Sequence, residues 1–339
     1  MGVYLTYVLI GIVLLCIEQL YFKIADKFNI IDKPNERSSH SSIVLRGGGV
    51  IFSLSMVAWA VMMAVEGNWT VVEGYLPFLA GLLIVTVVSF VDDVRSLPDS
   101  VRLVAQFVAM ALMFWSMGIM HWDMWWIVAI ALVVCVGATN VINFMDGING
   151  ITAGYSMAVL LPLIFLNHDL HFVEPSFLIV AALGVLVFCI FNFRPKGKAK
   201  CFAGDVGSIS IAFIMLFAIG RLVVMTQDVT YLIFLLVYGV DGCLTICHRI
   251  LLHENLGEAH RKHAYQLMAN ELKIGHVKVS LVYMAMQLAV SFGFIYLCPN
   301  TVAAHLGYLA GSLIVLALAY VLFKKKYYHL HEAYLTGLK

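Results

Sequence analysis

The stretch YLPFLAGLLIVTVVSFVDDVR, Tyr75 to Arg95, carries two messages in one line: residues 75–91 hold no charged side chain, and two adjacent carboxylates and a guanidinium follow. An apolar run of about 20 residues can cross roughly 30 Å of hydrocarbon as a helix, which satisfies its own backbone hydrogen bonds. The rest of the chain repeats that pattern. Apolar segments fall at 3–22, 47–65, 75–91, 102–120, 125–142, 151–166, 176–193, 207–226, 229–247, 277–297 and 303–323. Over 339 residues the chain is 62% hydrophobic and 12% charged, against roughly half apolar and a quarter charged for a soluble domain. The expected fold is therefore a single all-α polytopic membrane domain over 1–339 with about eleven transmembrane helices.

Charge sets the expected orientation. The gaps 66–74, 121–124, 167–175, 227–228 and 298–302 contain no Lys or Arg, whereas the alternate gaps and the tail hold twenty of the twenty-one, Arg221 being the exception. The excess of basic residues on cytoplasmic loops assigns that face to the cytoplasm, with the N-terminus outside and the C-terminus inside. The first apolar segment is expected to stay as a helix, because Met1 to Tyr7 lacks the basic start of a cleaved signal. Lys324-Lys325-Lys326, just past the last span, reads as an anchor against anionic headgroups. A net charge of +1 with no basic face argues against nucleic acid, and seven scattered cysteines outline neither a disulfide framework nor a zinc site.

The polar peculiarities collect on the expected cytoplasmic face. Asp32-Lys33-Pro34-Asn35-Glu36-Arg37-Ser38-Ser39-His40 leads to Arg46-Gly47-Gly48-Gly49 at a helix start; such glycines serve either an anion or close helix packing. Asp92 and Asp93 repel each other at a membrane boundary unless a cation intervenes, with Mg²⁺ the natural partner and a solvated turn paired to Arg95 the alternative. Asn140 and Asn143 share a helical face, followed by Asp146-Gly147-Ile148-Asn149-Gly150; the amides suit a ligand or an interhelical contact. Asn192, then Phe202 and Gly204-Asp205-Val206-Gly207-Ser208, add an amide, an aromatic face and another acid. Asp241, deeper in the ninth span, reads as functional or as a paired structural group. His260-Arg261-Lys262-His263 is basic and lacks the further ligands of a zinc shell, so it suits a pyrophosphate, or is a solvated loop.

Together Asp92-Asp93, Asn140-x-x-Asn143-x-x-Asp146-Gly147, Gly204-Asp205-x-Gly207-Ser208 and the His260/His263 loop resemble the polyprenyl-phosphate N-acetylhexosamine-1-phosphate transferases of glycosyltransferase family 4. The opening loop looks like the branch that begins O-antigen, capsule or teichoic-acid glycans. The resemblance implies transfer of an N-acetylhexosamine-1-phosphate from a UDP-sugar to undecaprenyl phosphate, with UMP released, at the bacterial inner membrane. It implies Mg²⁺, with Mn²⁺ as a substitute, held by Asp205 with Asp92 and Asp93 at the metal and lipid phosphate. Asn143 and Asp146 would hold the nucleotide, Phe202 would stack on uracil, and His260, Arg261 and His263 would contact the sugar diphosphate. Asn192, Arg46 and Gly47 complete the expected substrate site, and a homodimer is compatible with it. Two departures stand out: many members carry Asp where this chain has Asn149, and the histidine cluster differs from that of other branches. The rival expectation from another class is a transporter of nucleotide sugars or lipid-linked glycans, which would place its site near the bilayer midplane.

Overall fold

The computed structural model describes residues 2–32, 43–120, 122–257 and 260–337. Every apolar segment read from the sequence falls on helix. The helices are α1 (Val3–Lys27), α2 (Val50–Val65), α3 (Trp69–Val94), α4 (Asp99–Met117), α5 (Trp125–Phe144), α6 (Ile151–Leu170), α7 (Pro175–Asn192), α8 (Gly204–Thr226), α9 (Leu236–Leu251), α10 (Ala264–Gln266), α11 (His276–Leu297) and α12 (Val302–Gly337). A 3-10 stretch, Val229–Leu235, precedes α9. A two-stranded antiparallel ribbon, β1 (Ile31–Asp32) with β2 (Val44–Leu45), is the sheet found among the described residues.

Ten stretches among the described residues are long and apolar enough to cross a membrane, with Val229–Leu251 counted as one. The eleventh expected span, α2, has 16 residues, about 24 Å at 1.5 Å per residue. It begins at Val50 rather than 47 because Gly47 turns the chain in the left-handed region, φ +80°. The amides of Gly48 and Gly49 then donate to the carbonyls of Phe202 and Ala203.

Helix α8 is the axis of the bundle: every residue from Val206 to Ile219 is buried, and α2, α3, α4, α5 and α6 all touch it. A helix apolar on all sides belongs inside rather than against lipid. One end of the core is a cluster of Trp59, Tyr75, Phe78, Phe177 and Phe217, with ring centroids 4.2–5.6 Å apart. The loops that carry the motifs meet at the opposite end.

Candidate active site

At that end a cavity of about 210 Å³ opens between Asp32, Arg46, Asn143, Asp146, Asn149, Asn192, Phe202, Asp205, Gln266 and His276. It exists because three backbone segments approach closely. Gly204 sits at φ +70°, and a Cβ there would lie 2.4 Å from Asp93 Oδ2, so only glycine fits. Directly after it, the N–H groups of Asp205 and Val206 each donate over 3.0 Å to the two oxygens of Asp93. Asp93, from α3, thus caps the first turn of α8, where the orphan amides favour a carboxylate.

Arg46 reaches the same group, its Nε 2.7 Å from Asp93 Oδ1 and a terminal nitrogen 3.9 Å from Asp205. The Tyr21 hydroxyl fixes the Arg46 backbone by donating to its carbonyl at 2.6 Å. Arg102 closes the other side, 3.3 Å from both Asp92 Oδ2 and Asp205 Oδ2. Asp92 Oδ1 accepts the Leu97 N–H at 2.6 Å.

The amides are more engaged than their positions suggested. Asn143 Oδ1 accepts the Ser208 hydroxyl at 2.6 Å. Asn192 accepts from Gly150 N–H at 2.7 Å and donates to Cys201 O at 2.8 Å, tying two loops together. Asn149, 2% exposed, donates through Nδ2 to the carbonyls of Arg194 and Pro195 at 2.9 and 3.0 Å. A carboxylate has no hydrogen to donate there, so an amide suits this position. Asp146 Oδ1 accepts from Thr152 at 2.5 Å; burial pushes this carboxyl up to about 6, against the Thr152 hydrogen bond.

A second cavity, about 520 Å³, lies beside Arg102 and is lined by Asp99, Gln106, Asn140, Phe144, Arg249, His260 and His263. His263 is held by Asp241: the Asp241 carboxylate accepts from His263 Nδ1 (3.3 Å), Ala264 N–H (3.0 Å), Tyr265 N–H (3.4 Å), Thr245 Oγ1 (3.2 Å) and Tyr283 Oη (2.5 Å). Asp241 is thus a paired group, since five donors compensate a buried charge. His263 Nε2 has no hydrogen-bond partner among the described residues. Burial, then the electrostatic influence of the neighbouring His263 and Arg249, lowers His260 to about 3, so it is neutral at pH 7. Asn140 donates to Gln106 Oε1 at 2.7 Å across α4 and α5, an interhelical contact at the cavity wall.

A third, almost wholly apolar cavity of about 460 Å³ continues from the second along α5 and α9, sharing Asn140, Phe144 and Ile246 with it.

Asp205, Arg46, Asn143, Asp146, Asn192 and Phe202 thus line one cavity, whereas His260 and His263 line the other. Arg261 lines neither; its guanidinium lies 3.3 Å from Glu271. Gly47 serves the turn, the N–H groups of Gly48 and Gly49 donate to protein carbonyls, and the triplet packs closely: a Cβ on Gly49 would lie 2.3 Å from Gly207 Cα. Residues 33–42, including His40, and Glu258 lie outside the described residues. Arg102, Arg249, Gln266 and His276 also line these cavities, and no motif marks Arg102 or His276. Of these, Gln266 carried a signal, since its three-residue offset from His263 forms a capping box.

Residues 75–224 match glycosyl transferase family 4. The resemblance drawn from the motifs is thereby borne out. The chain is 25% identical to a probable undecaprenyl-phosphate N-acetylglucosaminyl 1-phosphate transferase of Bacillus subtilis, over 75% of this chain and 74% of that one. It is 32% identical to the phospho-N-acetylmuramoyl-pentapeptide-transferase of Thermotoga neapolitana over 37% of this chain, and 42% identical to that of Deinococcus radiodurans over 23%. The match spans 39% of the length of the Thermotoga relative.

Proposed function

We propose that this chain transfers an N-acetylhexosamine-1-phosphate from a UDP-sugar to undecaprenyl phosphate on the cytoplasmic face of a bacterial inner membrane. The product would be the first lipid-diphosphate-linked sugar of a surface polysaccharide. The observation that carries the reading is the shared wall: Asp205 lines the first cavity, and its partner Arg102, 3.3 Å away, lines the second. Two anionic substrates can be held on either side of one carboxylate–guanidinium pair. The polar first cavity suits the nucleotide, with Phe202 for the base. The second, with Arg102, Arg249 and the two histidines, suits the acceptor phosphate, and the apolar third suits isoprenoid units at about 0.8 kcal/mol per buried CH₂.

In the reaction an acceptor phosphate oxygen forms a bond to the phosphorus that carries the sugar, while the bond from that phosphorus to UMP breaks and UMP leaves. Positioning and charge compensation are the main demands on the protein. The acceptor phosphate, with a second pKa near 6, is largely dianionic at pH 7 and needs no base to deprotonate it. Arg102 and Arg46 orient the reacting phosphates.

The first cavity carries Asp32, Asp146 and Asp205 against a single guanidinium, Arg46, a balance that repels a diphosphate unless a cation enters with it. Among the described residues no three acidic, histidine or cysteine side chains converge into a cage, which fits Mg²⁺, an ion bound by one or two carboxylates plus substrate phosphates. Asp205, with Asp92 beside it, would hold the ion, while both oxygens of Asp93 already accept the α8 amides. Bound Mg²⁺ supplies charge neutralisation to the diphosphate. The transporter alternative is not retained, because the polar cavities open at one end of the bundle and the relatives are named as transferases.

The test is UMP release by the purified chain from a panel of UDP-N-acetylhexosamines with undecaprenyl phosphate and Mg²⁺, the lipid product identified by mass spectrometry. Absence of UMP with every sugar in the panel, from folded protein, refutes the proposal.

A further inference from the structure

Helix α12 is longer than a membrane needs. Its 36 residues extend about 54 Å at 1.5 Å per residue, against roughly 30 Å of hydrocarbon. Only 6% of its most apolar window is buried inside the protein, so its membrane-crossing part has little packing to fix it. Its site-side end is the opposite case. Tyr320, Lys324, Tyr328, His331 and Tyr334 recur every three or four residues, which sets them along one face, and that face meets the histidine loop.

The contacts are specific. Tyr320 Oη lies 2.8 Å from Thr245 Oγ1. Lys324, the first of the three lysines expected to anchor in headgroups, is buried instead, and its Nζ donates to the Lys262 carbonyl. The Tyr328 ring meets His248 at 4.6 Å. His331, 2% exposed, places Nδ1 2.9 Å from Glu271 Oε1, and Arg261 approaches the same oxygen at 3.3 Å while its guanidinium sits 4.5 Å from the Tyr334 ring centroid. Arg261 and Lys262 lie between His260 and His263 in the chain. Asp241 and Tyr283 therefore pin the loop from the α9 and α11 side, and α12 pins it from the other.

We infer that residues 324–334 of the last helix form a strap that holds His260 and His263 over the second cavity, with His331 and Tyr334 as positioning residues acting through Glu271 and Arg261. The consequence for turnover rests on the reading of that cavity as the acceptor-phosphate site; the strap itself does not. Loosening it should weaken acceptor binding and leave the bond-making groups at Asp205 untouched.

The test uses the full chain in lipid nanodiscs, with His331→Ala, Tyr334→Ala and the conservative His331→Gln, which keeps a donor for Glu271. Two readouts are needed: amide hydrogen exchange over 260–266, and KM for polyprenyl phosphate against kcat. Losing one charge-assisted contact should raise exchange in 260–266 about tenfold with α6 and α8 unchanged, and raise KM by a similar factor with kcat altered less. His331→Gln should recover most of both. Should His331→Ala fail to fold, Tyr334→Ala decides, since it removes a ring in the last turns of the helix beyond the span. Unchanged exchange over 260–266 in the folded variants overturns the strap. Raised exchange in a protein whose wild type turns over no UDP-sugar upholds the strap and refutes the transferase reading instead.

Discussion

Replacing Asn149 by aspartate, the residue that the resemblance to family 4 leads one to expect there, should damage this protein. The Asn149 amide donates to two carbonyls, Arg194 and Pro195, from a side chain that is 2% exposed. A carboxylic acid can satisfy one of them and a carboxylate neither, so the introduced group will be protonated in the folded state. Holding it protonated at pH 7 costs about 4 kcal/mol, from 1.36 kcal/mol per unit and an unfolded pKa of about 3.9, and the second hydrogen bond adds about 1 kcal/mol. Water from the adjoining cavity lowers this sum, giving a loss of roughly 3–5 kcal/mol. The sign with pH follows: the folded pKa of the introduced carboxyl lies above its unfolded value, so its penalty is full above the folded pKa and fades as pH falls toward about 4. Asn149→Ala should lose about 2 kcal/mol at any pH, two hydrogen bonds without a charge. The assay is the thermal unfolding midpoint of Asn149→Asp, Asn149→Ala and wild type in one detergent at pH 5 and pH 7.5. An Asn149→Asp protein as stable as wild type at pH 7.5, or a deficit independent of pH, would refute the reasoning.

Three further outcomes follow from other parts of the molecule. Asp205→Asn should lower turnover by about 10²–10³-fold and leave the unfolding midpoint near wild type; full activity would remove Asp205 from the reacting centre. Gly49→Ala should cost about 3 kcal/mol or more by overpacking, because its Cβ would meet Gly207 Cα at 2.3 Å and Ala203 O at 2.8 Å, whereas Gly11→Ala, with open space around it, should not; detergent-resistant yield of the two variants compares them. Asp146 is raised from 3.8 to about 6 by burial, so its contribution favours folding at low pH and is lost as pH rises through 6. Asp146→Asn should therefore be more stable than wild type at pH 7.5, by about 1–2 kcal/mol after discounting a half-buried group, and approach it near pH 4, while nucleotide binding measured by titration weakens.

The helices were legible because an apolar run in a membrane has few alternatives to a helix, and each of the eleven segments became one. Where the reading erred by a few residues, at Gly47, backbone contacts to Phe202 and Ala203 decided the boundary, and partners 150 residues away leave no local trace. The same limit governs the site. Asp92, Asp93, Asp146 and Asp205 were visible as acids at span ends, yet their division of labour depends on Arg46, from the turn after β2, and Arg102, from α4. Glu18 was hidden altogether within the first apolar segment, although it is fully buried against Cys201. Residue spacing gave Asn140 and Asn143 one face but not which cavity each would meet; a difference of three positions sets one against Gln106 and the other against Ser208.

That partition bears on how two anions can share one protein end. If all the motif residues had lined a single chamber, donor and acceptor phosphates would have entered the same field and repelled each other at full strength. On the proposed reading, with His260 neutral and Arg102 between the cavities, the second cavity would offer the acceptor hydrogen-bond donors and cationic character, while the acidic first cavity would select for a nucleotide that arrives with its own cation. The paired carboxylates and the histidine loop, similar to one another in the sequence only by being polar in an apolar chain, would then perform opposite electrostatic tasks across the Asp205–Arg102 wall.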